Sequence, residues 1–198
     1  ATTYTGDEDR AINVINKAAT LTLDNVSAAG FKYTINVAGT SVGSAITING
    51  GSYSGYAAMN ITGNETNVTA NGTTFVGVND YASGASNAFA VVAFGAAAKG
   101  STTDDVAVTI TDSKLIAMSE GNNKQYVVSM TNVEDIEVTV DAELELYDEN
   151  VFLLNEDCDI STVEIAFRDD YAEYLQSQGY LVSASEDGLV KVTGKNSN

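Results

Sequence analysis

Leu21-Thr22-Leu23-Asp24 is the first of five copies of a short pattern in which a threonine stands between two apolar residues. The side chains of a β-strand alternate between its two faces, so each copy places its apolar pair inward and its threonine outward. Strands of this kind, when stacked, align their threonines in one surface column. The predicted column contains Thr22, Thr47, Thr69, Thr109 and Thr139.

Two further elements repeat between these copies. The second element has a central residue, usually polar and expected to face outward, between apolar ones, and the third is a weaker element centred on Tyr53, Phe75, Leu115 and Leu144. Three short strands in each repeat predict a three-sided coil. The copies of the second element are Ile12-Asn13-Val14, Ile35-Asn36-Val37, Met59-Asn60-Ile61, Val91-Val92-Ala93, Val128-Ser129-Met130, Phe152-Leu153-Leu154 and Val182-Ser183-Ala184.

The repeats predict an all-β solenoid of about six three-strand coils in a single domain, residues 1–198. Residues 1–10 are a ragged N-terminus, 11–167 form the coils, and 168–194 form a C-terminal cap. Glu164 is expected to take the place of the threonine in the sixth coil. The unequal repeat lengths predict long loops at 79–86 and 96–105, where ligand specificity is expected.

Both ends of a solenoid expose strand edges and core, so they require caps or neighbours. At the C-terminus, residues 169–179 predict a short helix, and 180–184 and 189–193 predict a hairpin joined by Ser185-Glu186-Asp187-Gly188. Tyr171, Tyr174 and Leu175 share one helix face, which suits them to cover the last coil. The chain starts inside a coil, which predicts that it is a fragment of a longer protein and that coil ends could associate with one another.

Composition excludes several classes of protein. The chain has 198 residues, 44% of them apolar, and its longest purely apolar run, 88–94, is far shorter than the roughly 20 residues of a membrane helix. It has no proline, which suits strands that are paired on both sides. Cys158 is the single cysteine, so no intrachain disulfide forms, and without histidine a nucleophilic role is not expected.

The formal net charge of -18 argues against nucleic acid and anionic membranes as partners, because only nine scattered basic residues are present. Most of the acids lie in the C-terminal half, which predicts a solvated, self-repelling surface there. The acidic turns at 148–150 and 155–159 could gather oxygen ligands for calcium, although they lack the spacing of a known calcium loop. No other cofactor is expected.

Four stretches of the chain are similar to a known fold: Gly55-Tyr56-Ala57-Ala58-Met59-Asn60-Ile61, Ser86-Asn87-Ala88-Phe89-Ala90-Val91-Val92, Asn123-Lys124-Gln125-Tyr126-Val127-Val128 and Gly179-Tyr180-Leu181-Val182 with Glu186-Asp187-Gly188. On these stretches the chain resembles the right-handed parallel β-helix of the pectin-lyase-like superfold and, more narrowly, uncharacterised β-helix regions of surface proteins from anaerobic gut bacteria. The resemblance covers about residues 11–194, implies a fold and an extracellular, cell-surface or secreted location, and carries over no functional residue.

Two hypotheses about function follow. The first is a non-catalytic extracellular β-helix module of a bacterial surface protein, a rigid stalk or an adhesion module that binds a glycan or a host surface protein. The second is a polysaccharide lyase or glycoside hydrolase, or an inactive relative that binds carbohydrate. The first is favoured because Arg10 and Arg168, the only arginines, are expected to lie outside the stacked strands, and because Asp24, Asp141 and Glu164 are expected to lie far apart.

Overall fold

The computed structural model describes residues 10–79, 88–95, 101–120 and 122–196. Its only α-helix in these residues is α1 (Ala172–Ser177), preceded by a 3-10 turn at Asp169–Tyr171, and no helix there is long and apolar enough to span a bilayer. The strands are β1 (Arg10–Val14), β2 (Thr20–Asp24), β3 (Ser27–Val37), β4 (Ala45–Asn49), β5 (Ser52–Ile61), β6 (Asn67–Asn71), β7 (Thr74–Asn79), β8 (Ala88–Phe94), β9 (Thr103–Ser119), β10 (Lys124–Met130), β11 (Val133–Leu146), β12 (Phe152–Leu154), β13 (Val163–Arg168), β14 (Tyr180–Val182) and β15 (Leu189–Lys195).

Most strands lie in three rows, one for each repeating element, and the strands within each row are parallel. The first row contains the threonine pattern and runs β2-β4-β6-β9-β11-β13. The second runs β1-β3-β5-β8-β10-β12, and the third joins the other halves of β3, β5, β9 and β11 with β7. Long strands thus pass from one row into another, and the sheet is curled. The prediction of an all-β chain with stacked, repeating strands is confirmed.

The chain leaves the first row through a residue with left-handed backbone conformation. Asn25, Gly50, Gly72 and Asp112 directly follow the aligned ends of β2, β4, β6 and the first part of β9, and their φ values lie between 49° and 68°. This conformation is costly for most residues, whereas glycine adopts it freely and Asn and Asp tolerate it. The Asn, Gly or Asp that follows these strands therefore fixes where the sheet turns.

Register corrects three of the predicted assignments. Thr139 is paired with Ala166, so Ala166 continues the threonine column and Glu164 does not; Glu164 lies opposite Glu137. Val92 is paired with Met59, which shifts that copy of the second element by one residue to Val92-Ala93-Phe94. The segment 182–184 does not join the second row, because Val182 is paired antiparallel with Val192 of β15.

The core lies between the rows and consists of the inward residues of all three elements. Tyr53 and Phe75 are fully buried neighbours whose ring centroids are 5.8 Å apart, and Leu115 and Leu144 continue their column. The central residues of the second element were expected to face outward. Asn36 and Asn60 are nevertheless buried, and Nδ2 of each donates to Oδ1 of the preceding asparagine, Asn13 or Asn36, at 2.8 Å.

The Tyr53 hydroxyl is buried and has no hydrogen-bond partner among the described residues, and burial raises its pKa. A buried hydroxyl without a partner costs free energy, so we expect Tyr53→Phe to leave the free energy of unfolding unchanged or to raise it by about 1 kcal/mol. Urea denaturation measures this. A loss of more than about 1 kcal/mol would show that the hydroxyl has a stabilising partner, since a hydrogen bond contributes about this much.

The C-terminal segment covers the ends of the second and third rows. Leu175 is fully buried, and Tyr171 and Tyr174 pack against the core, as expected for a cap. Tyr180 is buried, and burial raises the pKa of its hydroxyl. The hydroxyl therefore stays neutral, and its oxygen accepts a hydrogen bond from a backbone N–H. The acceptors at this end are Tyr171 Oη, Gln178 Oε1 and Tyr180 Oη, and the donors are the N–H groups of Leu144 (2.7 Å), Val151 (3.1 Å) and Leu154 (2.9 Å) respectively.

Candidate functional site

The five predicted threonines lie in one column across the first row. Thr22 is paired with Thr47, Thr47 with Thr69, Thr69 with Thr109, and Thr109 with Thr139. The first four side chains are exposed and Thr139 is partly buried. With adjacent strands about 4.8 Å apart, the hydroxyls form a regular ladder about 19 Å long. The sequence predicts these five residues as one column, and the strand register places them side by side.

Two further columns flank the threonines, because outward side chains recur at every second residue of a strand. Most of their members are short, and together with the threonine column they form a surface that we call the threonine face. The first flanking column is Thr20, Ala45, Asn67, Ala107 and Glu137, and the second is Asp24, Asn49, Asn71, Thr111 and Asp141.

Sequence reasoning overlooked the small residues of this surface. Ala45 and Ala107 lie in the first flanking column, beside the threonines. Their short side chains do not project above the neighbouring threonines, so the surface stays flat there. The signal was present in the sequence, since each alanine lies two residues before a threonine of the column. Because an isolated alanine has no chemistry of its own, only the register shows that it shapes the surface.

Hydrogen bonds hold the polar side chains of the second flanking column in place. Asn49 Nδ2 donates to Asp24 Oδ1 at 2.7 Å, and Asn71 Nδ2 donates to Thr111 Oγ1 at 3.0 Å and to Asp112 Oδ2 at 3.2 Å. Bonds between neighbouring strands fix the side-chain conformations before any ligand arrives. A preorganised polar surface loses less conformational entropy on binding than a mobile one.

The threonine face ends at β13 in a groove. Ala166 has a shorter side chain than the threonines that precede it in the column, and beyond it the segment 183–189 forms the opposite wall. The groove has a volume of about 660 Å³ and is lined by Thr139, Ser183, Ser185 and Lys191 among others. Its rim is charged, because Lys191 Nζ lies 3.2 Å from Glu164 Oε2.

Carboxylates are widely separated along most of the threonine face. Asp24 and Asp141 lie four strands apart, about 19 Å, whereas inverting glycosidases hold their two carboxyl groups about 6.5–9.5 Å apart. Glu137 and Glu164 are the exception, because they lie directly opposite each other on β11 and β13. The expectation that both arginines lie outside the stacked strands is wrong, because Arg10 is the first residue of β1 and Arg168 the last of β13. Arg168 lies beside this end of the face and not in the column, with Nε 2.6 Å from Asp141 Oδ1.

The acidic turns show no metal centre in the part of the chain that the structure describes. No three Asp, Glu, Cys or His side chains converge there in a way that could hold a metal ion. Burial raises the pKa of the Cys158 thiol, so the thiol is protonated at neutral pH and is a poor nucleophile. Of the two predicted loops, residues 80–86 and 96–100 lie outside the described residues, whereas Asn79 ends β7 and 103–105 begin β9.

The threonine face is therefore a regular and largely exposed surface within the described residues. Its hydroxyl and amide groups donate and accept hydrogen bonds, and its small residues leave it open to a flat ligand. Comparison with protein-family models, with curated proteins and with solved structures finds no match for this chain.

Proposed function

We propose that this chain is a right-handed parallel β-helix that serves as a non-catalytic extracellular module of a bacterial surface protein and binds extended neutral glycans on its threonine face. The observation that carries the binding role is the unbroken register of the five threonines across β2, β4, β6, β9 and β11. A regular ladder offers the same hydrogen-bonding groups to each unit of a repeating polymer.

Three observations support a β-helix. The strands of each row are parallel, each row corresponds to one repeating sequence element, and the long strands pass from one row into the next. Such connectivity returns the chain to the same row after each circuit of the three rows. The interior column of Tyr53, Phe75, Leu115 and Leu144 lies on the core side of these circuits. A stiff rod of this kind suits a stalk that displays a binding surface.

Chemistry favours a neutral glycan over an acidic one. The chain carries a net charge of -18, and Glu137, Asp141 and Asp24 border the threonine column. A polymer of acidic sugars would be repelled by this field. A neutral glycan presents hydroxyls, which pair with the hydroxyl and amide groups of the face. The strand spacing of about 4.8 Å is close to the length of one sugar unit in an extended chain.

Affinity electrophoresis through gels that contain neutral or acidic polysaccharides tests the binding role. We expect retardation by at least one neutral polysaccharide, and we expect the double variant Thr47→Gln/Thr69→Gln to reduce it at least about tenfold, because the longer side chains interrupt the flat face where two hydrogen-bonding hydroxyls stood. Thr193→Gln is the matched control, because Thr193 is an exposed residue of β15 outside the face. Equal retardation of all three proteins would contradict the proposed site.

An enzyme is the second candidate function, and the facing pair Glu137 and Glu164 is the observation that favours it. Carboxyl groups of retaining glycosidases lie about 5–5.5 Å apart, close to the spacing of adjacent strands. Reducing-end assays on the same polysaccharides, with and without calcium, separate the two functions. Product release that disappears in Glu137→Gln would establish catalysis, whereas retardation without product release supports the binding module.

A further inference from the structure

The threonine column ends at a residue that faces outward and is nevertheless covered. Ala166 continues the column, because it is paired with Thr139 on one side and with Lys191 on the other. Ala166 is only 7% exposed, whereas Ala45, an outward alanine elsewhere on the threonine face, is exposed. Residues 183–187 line the groove beyond Ala166 and form a wall across the end of the column. A ligand that lies along the column therefore ends at this wall.

Hydrogen bonds hold the wall in one position. Lys191 N–H donates to Ser183 Oγ at 3.0 Å, and Ser183 N–H donates to Lys191 O at 2.8 Å. Ser185 Oγ donates to Asp169 Oδ2 at 2.6 Å, and Asp169 N–H donates to Gly188 O at 2.9 Å. The wall is thus tied both to β15 and to the residue that follows β13. A preformed wall does not have to be ordered when a ligand binds.

The lining of the groove combines apolar and polar groups. Ala166, Ala184 and Leu189 contribute apolar surface, whereas Thr139 contributes a hydroxyl and Lys191 an ammonium group. A sugar ring has the same division, with C–H groups on its two faces and hydroxyls around its edge. The groove volume of about 660 Å³ lies within the range of small-ligand pockets, about 300–1,000 Å³. The groove is therefore suited in size and chemistry to a sugar.

One exposed ion pair beside the groove offers both a donor and an acceptor. Lys191 Nζ lies 3.2 Å from Glu164 Oε2, and the two side chains are 62% and 71% exposed. An ammonium group only donates hydrogen bonds and a carboxylate only accepts them, whereas a hydroxyl does both. The pair can therefore bind two neighbouring hydroxyls of one sugar. Hydrogen bonds to charged groups are stronger than those between neutral groups.

Charge around the groove favours a neutral ligand over an acidic one. Glu186 and Asp187 line the groove, and Glu164 lies beside Lys191. Three carboxylates thus surround one ammonium group. An acidic sugar would be repelled by this field, whereas a neutral sugar would not.

We propose that the groove is a terminal subsite, which binds the end of a neutral glycan whose following sugars lie along the threonine face. This inference rests on the proposed glycan-binding function and adds that chain ends, and not chain interiors, are recognised. A chain interior does not fit, because the polymer would have to continue through the wall. From β13 to β2 the bound glycan crosses six strands, about 24 Å.

Titration calorimetry counts binding sites per gram of glycan and so separates ends from interiors. The probes are β-glucan, glucomannan and galactomannan, each as the intact polymer and as fragments of about six sugars, one for each strand from β2 to β13. Partial acid hydrolysis produces the fragments and multiplies the ends at constant mass. We expect the sites per gram to rise in proportion to the measured number of chain ends.

Lys191→Met tests the groove itself, because it removes the ammonium group and keeps a side chain of similar length. We expect it to raise the dissociation constant for the six-sugar fragments at least about tenfold. Lys195→Met is the matched control, since Lys195 is an exposed lysine of the same strand outside the groove and its substitution changes the net charge equally. Unchanged thermal melting of both variants shows that lost binding does not arise from unfolding.

The possible failures of this proposal are distinguishable from one another. Equal numbers of sites per gram before and after hydrolysis would show that chain interiors bind, which overturns the terminal subsite and leaves the proposed function in place. No binding of any of the three neutral glycans, intact or hydrolysed, would contradict both. Tighter binding of galacturonic acid fragments of equal length, lost in Lys191→Met, would assign the groove to an acidic chain end and overturn the neutral one.

Discussion

Gly51→Ala is expected to destabilise the chain by more than about 4 kcal/mol, which places it among the largest effects of a single substitution. Gly51 has a φ of +84°, and a Cβ atom there would lie 2.8 Å from the carbonyl carbon of Val26 and closer still to its oxygen. Both obstacles are backbone, so neither can move aside as a side chain could. The close approach lets Ser52 N–H donate to Val26 O at 3.1 Å.

Gly72→Ala is the matched control for this substitution. Gly72 also has a positive φ, +62°, but no atom lies within 4 Å of the position that its Cβ would occupy. The control therefore bears only the cost of a left-handed alanine, about 1–2 kcal/mol. Thermal melting measures both, and the melting temperature of Gly51→Ala should fall by about 10 °C or more. Equal losses in the two variants would contradict the clash with Val26.

Phe75→Ala is expected to lower the free energy of unfolding by about 3–5 kcal/mol, because it leaves a cavity in the continuous interior column. Phe75 is fully buried between Tyr53 and Leu115 on adjacent strands. Since neighbouring strands hold the cavity open, little collapse is expected. Urea denaturation measures the change, with the midpoint shifting and the slope unchanged if unfolding remains cooperative.

Val76→Ala tests whether this loss belongs to the interior. Val76 is the next residue of β7, points to the opposite face and is partly exposed. Its truncation should cost about 1 kcal/mol or less, since less apolar area leaves water on folding. If both variants lose the same stability, the inward and outward faces of β7 have been assigned incorrectly.

The threonine column was predictable because two kinds of pattern agree at four of its five copies. An apolar-Thr-apolar triplet sets the faces, and the Asn, Gly or Asp that follows fixes the turn out of the row, as at Asn25, Gly50 and Asp112. The register of β13 was not predictable in this way. Both Val163-Glu164-Ile165 and Ile165-Ala166-Phe167 have the required alternation, and a shift by two residues keeps every side chain on its face.

The error at β8 has a different cause. Residues 88–94 are all apolar, so no alternation of polar and apolar residues marks the inward face. An alignment shifted by one residue therefore fits the apolar pattern equally well. The sequence also did not predict that Asn36 and Asn60 are buried, because asparagine usually lies at the surface. Their mutual amide bonds satisfy the polar groups and make burial tolerable.

The regular register also has a consequence for how chains of this type change in length. Thr47 and Thr69 occupy equivalent positions on β4 and β6. Loss of residues 48–69 would join Thr47 directly to Ala70 and remove one strand level from each row, while the surviving strands would still meet partners in phase. Insertions or deletions of such whole units are therefore inherited more easily than those of one or two residues. Gene duplication and recombination can lengthen or shorten this architecture in steps of one complete repeat.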